Sequence, residues 1–466
     1  MPPSSSPGQP GQRHKRAGYL PALLLAVALG GCAAYGGKPL PAGPSFPAAL
    51  SDISVPVSAS HAFDPSDGLD DQEVAVLAIA NNPQLRLART ASRLAQAQSF
   101  SAGLLPDPLV NFSRDFPTPA IAGASSAFLF GIAYSVNALV TRPATLEAGR
   151  QDLLQARQAL LWQEWQTISQ ARLLYVRLRA AEVKRVLLED SRRVLEERYG
   201  RARQALAQGL LTLDVVAPDL AALQDVTRQL SDLRRLSSQA RLDLDALLGV
   251  APGTALPLQG RADFAPMDEA AVRARLPEFV GRRPDIQALR FGYAAQDARY
   301  RVALLNQFPA LGLGVQRARD TSNAYTSGFG INLALPLLNG NRGEVRVQDA
   351  TRDKLRAEYQ ERLNTGAFDI ERLLNDQALT QRQLEALEPA LITLRSARDR
   401  MRQAYAARYI DAITLASLET ATLAKEIELL DARQAQQEQR VGLLALTGGD
   451  RFTPLPAPQD AETPLS

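Results

Sequence analysis

Cysteine is almost missing from this 466-residue chain: Cys32 stands alone, which excludes a disulfide framework. Histidine is nearly as scarce. His14 and His61 both fall near the N-terminus, so a histidine-rich metal site has no material to build from, and no metal is expected. A charge excess is missing too. Three of the 52 basic residues, Arg13, Lys15 and Arg16, precede Cys32, where no acid occurs, so from Cys32 onward 49 basic residues face 49 acidic ones. A neutral body gives no electrostatic footprint for nucleic acid, and none is expected as a partner. Long hydrophobic runs are absent: the apolar stretch from Tyr19 to Leu29 is about a dozen residues, short of the roughly 20 a spanning helix needs. Nor is there a phosphate-binding loop or a nucleophile–base constellation. Gly281 to Pro284 is no such loop, and the scattered Ser and Asp lack a partner His beyond His61. The chain therefore does not read as an enzyme, and no cofactor is expected.

The apolar stretch follows Arg13 to Arg16 and ends at Leu29-Gly30-Gly31-Cys32, the order of a secretory leader with small residues before its cut. The arrangement resembles a bacterial lipobox, which implies Cys32 as the lipidated first residue of the mature chain. Ala33, rather than Asp, follows it, which by analogy with lipoprotein sorting favours the outer membrane. Tyr35 to Ser66 is rich in Pro, Gly, Ala and Ser and reads as an irregular arm or tether.

What the chain has in abundance is helix. Gln151 to Tyr199 holds no Gly and no Pro. Leu153, Leu160, Leu174, Ala181, Leu188 and Leu195 repeat every seven residues, interrupted only by Thr167, and Leu154, Leu161, Ile168 and Tyr175 form a second row beside them. Two adjacent rows make a seam wider than a two-stranded coiled coil requires. The helix is expected from about Thr145 to Leu206, roughly 90 Å at 1.5 Å per residue.

The plan occurs twice. Pro83 and Pro108 recur as Pro284 and Pro309, Gly131-Ile132 as Gly330-Ile331, Gly209-Leu210 as Tyr409-Ile410, and Leu248-Gly249 as Thr447-Gly448, always about 200 residues apart. Each unit reads helix, strand, loop, strand, very long helix, tight break, returning helix. The strands are clearest in the second unit: Leu311, Leu313 and Val315 alternate with glycines, and Phe329, Ile331, Leu333 and Leu335 alternate with Gly330, Asn332 and Ala334. Gln316 to Ser327, polar and turn-rich, is expected as the loop between them. The first unit repeats the pattern at Leu109 to Ser113 and Phe128 to Val136. A second long helix is expected from Gly343 to about Ala407, interrupted at Gly366 and kinked at Pro389.

Alternation over eight to ten residues suits a membrane β-strand and equally a half-buried hairpin. Four strands cannot close a barrel, since about eight is the practical minimum. Strands placed in lipid would therefore oblige the chain to oligomerise, because an open edge leaves backbone groups unpaired. Three copies give twelve strands; sequence alone does not choose three over two or four.

The helix starts NNPQLRLA and GRRPDIQAL, the strand entries AGLLPDP and NQFPALGLGV, and the exit LALPLLNGNRGEV resemble the TolC-like outer membrane factors over about residues 70 to 450. The resemblance implies a mainly α fold with a small β membrane part: a trimeric 12-stranded β-barrel, four strands per chain, on a long α-helical periplasmic cylinder. It divides the chain into a signal peptide (1–31), a lipidated arm (32–68), a first repeat (69–260, strands about 108–137, long helices about 145–248), a second repeat (261–450, strands about 309–336, long helices about 343–446) and a tail (451–466). It implies a homotrimer in the outer membrane of a Gram-negative bacterium, in contact with membrane lipid. Such a duct conducts substrates passively for an inner-membrane transporter and a periplasmic adaptor. The lipobox and the Arg-Arg-Pro-Asp start lean toward a resistance-nodulation-division type pump; a type I secretion duct and a periplasmic coiled-coil lipoprotein scaffold are the alternatives. By the same resemblance the hairpin tips dock the adaptor and gate the pore, which singles out Gly209, Leu210 and Asp214 in the first tip and Tyr409 and Asp411 in the second. Arg201, Arg203, Arg402 and Arg408, near the tips, are placed to salt-bridge neighbouring hairpins but read first as solvated charges, without an assigned role.

Overall fold

The computed structural model describes residues 36–47, 53, 67–118 and 123–448. The expectations for the leader, for Cys32, for both histidines and for the tail lie outside these residues. Residues 36–46 form a separate, irregular and exposed unit. The remainder opens with α1 (Asp71–Asn81), whose start is closed by a capping box: Asp70 accepts from the Gln72 and Glu73 amides while Glu73 accepts from the Asp70 amide. Pro83 occupies the first turn of α2 (Pro83–Gly103), where its missing N–H costs nothing. Then come β1 (Leu109–Asp115), β2 (Ala127–Ser135), α3 (Val136–Ala207) and α4 (Leu213–Leu248). The short α5 (Glu269–Ala274) and α6 (Leu276–Arg282) lead into α7 (Pro284–Leu305). The second repeat finishes with β3 (Ala310–Arg319), β4 (Tyr325–Ala334), α8 (Arg342–Ala406) and α9 (Ala412–Thr447).

Helix α3 has 72 residues, about 108 Å of reach at 1.5 Å each. It begins at Val136, directly after β2, and not at about Thr145 as the sequence suggests. Pro143 lies inside it, and tertiary contacts offset the lost hydrogen bond. Arg142 donates to the Gly103 carbonyl, and Gly149 lets α2 come so close that a Cβ would meet the Ala102 Cβ at 2.9 Å. Both apolar rows of α3 are buried or half-buried along their length. Thr167, the interruption, is buried as well, its hydroxyl donating to the Gln163 carbonyl. In the same way α8 runs unbroken through Gly366 and Pro389.

The repeats interlock rather than sit side by side, since α7 and α9 of the second both pack on α3 of the first. Two waist cores result, one around Leu77, Tyr175, Leu244 and Leu248, the other around Ile286, Ile370, Leu374 and Leu443. Each such side chain contributes about 1.5–3 kcal/mol on full burial. The Tyr175 hydroxyl donates to the Gln259 carbonyl, and burial pushes its phenol up to about 12. At the equivalent of the Asn81-Asn82-Pro83 turn, Arg283 lies 5.0 Å above the Trp162 ring and pairs with Asp285, which also takes Arg362 at 2.7 Å. Arg283, Pro284 and Asp285 of the Arg-Arg-Pro-Asp motif thus form a buried latch between α7, α8 and α3, while Arg282 is exposed.

Candidate functional site

The four strands form one antiparallel sheet in the order β1-β2-β3-β4, leaving the outer edges of β1 and β4 without a strand partner among the described residues. Pairing puts like parity on like face. One face carries Val110 and Phe112 from β1, Phe128, Phe130, Ile132 and Tyr134 from β2, Leu311, Leu313 and Val315 from β3, and Phe329, Ile331 and Leu333 from β4. The other carries Asn111, Ser113, Gly131, Gly312, Gly314, Gln316, Gly328, Gly330 and Asn332, with Leu109 and Leu129 its larger apolar members. The apolar face is uncovered: Phe329 is 81% exposed, and Ile132, Val315 and Ile331 are exposed as well. Monomeric soluble proteins rarely leave such a contiguous patch to water.

The strands are longer than the sequence suggests. Gln316 to Arg319 and Tyr325 to Ser327 extend β3 and β4, so the loop shrinks to residues 320–324. Cross-strand pairing overrides their polarity. Asp320 closes the turn by accepting from the Ser322 and Ala324 amides. Ten residues cover about 34 Å, and a tilt of about 40° leaves roughly 26 Å of height, close to the apolar band of an outer-membrane barrel. Toward the helices the band ends in exposed Leu104, Leu105, Phe308, Leu337 and Leu338, the last 98% exposed.

The second feature is the pair of tips. Helix α3 ends in a Schellman turn, the Leu210 amide donating to Ala205 and the Gly209 amide to Leu206, with Gly209 at φ 73°. Helix α8 ends identically through the Tyr409–Ala404 and Arg408–Tyr405 bonds. The left-handed position there is Arg408, at φ 63°, so Gly209 corresponds to Arg408 and not to Tyr409. Arg408→Gly relieves about 1–2 kcal/mol of backbone strain at the second tip, and amide exchange at Tyr409 should slow accordingly. Leu210, Leu213 and Tyr409 project outward, Tyr409 being 84% exposed. Asp411 caps α9 by accepting from the Thr414 amide, and bonds to Thr414 hold its carboxyl below its ordinary value. Asp214 lies in the first turn of α4, where the Thr212 side chain lowers its pKa, and it is exposed. The two aspartates are not equivalent, because Asp411 is a cap and Asp214 lies inside the first turn.

Residues 276–449 match the model of the outer membrane efflux protein family. The match lies within the second repeat, and members of that family are channels, not enzymes. Among solved structures, this chain is similar to the outer-membrane channel OprN, at 18% identity and a TM-score of 0.70 over 90% of this chain and 100% of that one. The open-state MtrE outer membrane channel of Neisseria gonorrhoeae gives 18% and 0.68, over 90% and 97%. VceC of Vibrio cholerae gives 16% and 0.69, over 81% and 96%. No curated protein matches the chain.

Just behind its tips the chain carries an ionic cluster that its sequence did not reveal. Arg198 of α3 pairs with Asp219 of α4 at 2.9 Å and with Glu419 of α9, and Glu419 also holds Arg402 of α8 at 2.8 Å. All four long helices meet there. Asp219 is only 3% exposed. Arg402 is thus ion-paired to the returning helix although it is exposed, as Arg201, Arg203 and Arg408 are. No signal in sequence spacing links residues 198, 219 and 419. Among the described residues no group of three metal-ligating side chains occurs, and no helix is long and apolar enough to cross a membrane.

Proposed function

We propose that three copies of this chain close a twelve-stranded barrel in the outer membrane and form the exit duct of a tripartite efflux system. The observation that carries the reading is the sheet itself: one uncovered apolar face, one face of small and polar residues, and two open edges. Lipid suits the first, a water-filled lumen the second, and a neighbouring copy the edges. A periplasmic scaffold would have to bury Phe130, Leu313, Phe329 and Ile331 on protein, and within the chain they are exposed. Exposed Val183, Val186 and Val194 on α3, with Leu379 and Ile392 on α8, leave helical surface for neighbours.

Conduction is passive, driven by an inner-membrane transporter through a periplasmic adaptor. The adaptor docks on the tips at Gly209, Leu210 and Tyr409, where apolar side chains stand in water, and Asp214 and Asp411 face the narrowed entrance. Cys32 carries the lipid anchor; Cys32→Ala then abolishes labelling by palmitate, and unchanged labelling refutes the anchor. The decisive experiment is the mass of the particle extracted by detergent from isolated outer membranes, followed by planar-bilayer recording. Three chains and a conducting pore are expected; a soluble single chain ends the duct reading. Asp214→Ala should lower cation preference, and unaltered conductance and selectivity would remove the gate assignment.

A further inference from the structure

Arginines gather on the apolar face of the sheet at its loop end. The registers Arg114↔Phe128, Phe128↔Arg319 and Arg319↔Tyr325 place those four residues in one row across all four strands. Arg317 lies on the same face one row closer to the helices, level with Phe112, Phe130 and Ser327. Each guanidinium rests on an aromatic ring: Arg114 on Phe116 at 5.1 Å, Arg319 on Phe128 at 5.4 Å and Arg317 on Tyr325 at 5.7 Å. Acids are directed elsewhere. Asp115 pairs with Ala127 and so belongs to the opposite face, and the Asp320 carboxylate is engaged by its own turn. None of the three arginines is ion-paired among the described residues. Arg114 and Arg319 donate to Ser126, and the Nε of Arg319 is buried without a hydrogen-bond partner.

We propose that this arginine row binds the phosphate groups of anionic lipid in the outer leaflet. The inference rests on the barrel reading given above. In that setting the row lies where hydrocarbon gives way to headgroups, which is the level of a lipid phosphate. Long cationic side chains there extend their stems along the apolar face and hold their heads at the surface. A guanidinium fork matches phosphate oxygens in pairs, and three uncompensated cations on one face supply the charge complement. The continuous apolar surface below the row, Ile132, Val315 and Phe329, accommodates the acyl chains of the same molecule. That continuity selects a lipid over free phosphate.

The test is native mass spectrometry of the full chain in an uncharged detergent. The protein is titrated with phosphatidylglycerol or phosphatidylcholine of matched acyl chains, or with inorganic phosphate. Wild type should retain phosphatidylglycerol roughly a hundredfold more tightly, the combined effect of three cations near a membrane surface. The Arg114→Gln/Arg317→Gln/Arg319→Gln variant should lose that preference. Arg317→Gln alone, which removes no hydrogen bond of the sheet, should lower it by roughly fivefold. Equal retention by wild type and the triple variant overturns the proposal, as does displacement of the lipid by inorganic phosphate. The same spectra report the assembly: three chains without lipid preference sink this proposal alone, whereas a single chain sinks the barrel reading with it.

Discussion

Val315→Arg removes assembled protein from the outer membrane, whereas Gln316→Arg leaves it in place. The two positions are neighbours on β3 and differ only in face. Val315 stands in the central row with Val110, Ile132 and Phe329, all exposed. An arginine on the lipid face at the bilayer midplane costs about 2–4 kcal/mol, and an assembly of identical chains incurs that cost once per copy. Gln316 shares its face with Gly131 and Gly328, where a long polar side chain enters water. Detergent-extracted outer membranes, compared for particle mass and yield, decide the matter. Equal loss in both variants would mean that the faces are wrongly assigned.

The second large effect is expected at Arg198. Replacing it with Met leaves the buried Asp219 without its cation and the partly buried Glu419 with Arg402 alone, and breaking a buried pair costs about 3–5 kcal/mol. The loss is local to the tips, so hydrogen exchange should rise in the last turns of α3 and α8 and the first turns of α4 and α9 while the waist stays protected. Because the cluster ties both hairpins together, single-channel recordings should show longer or more frequent openings. Adding Asp219→Asn to Arg198→Met removes the stranded charge and should restore much of the protection. Unchanged exchange in the single variant would show that the cluster carries no strain of the tips.

Much of this architecture was legible in the sequence, for a physical reason. A repeat of about 200 residues leaves paired prolines and glycines at helix starts and helix ends, and alternation marks strands whose two faces meet different surroundings. The missing parts depend on tertiary context. Local rules end a helix near Pro143, yet contacts from α2 carry α3 back to Val136. Polar Gln316 and Ser327 read as loop because sequence polarity does not register cross-strand pairing at the rim. Arg408 in a left-handed conformation is invisible to any rule that seeks glycine there. The Arg198 cluster joins residues far apart in sequence, and only the meeting of two hairpins makes them neighbours.

The open edges of the sheet carry a consequence for how the protein is made. A lone chain that entered the bilayer would expose the backbone of β1 and β4 to hydrocarbon, at several kcal/mol per unpaired group. Insertion and association are therefore a single event in the proposed trimer, with no stable half-assembled stage at which quality can be checked one subunit at a time. Genetics would register this as dominance. In a cell making both wild type and Val315→Arg chains, most assemblies would contain at least one faulty copy, and the good copies would be lost with it.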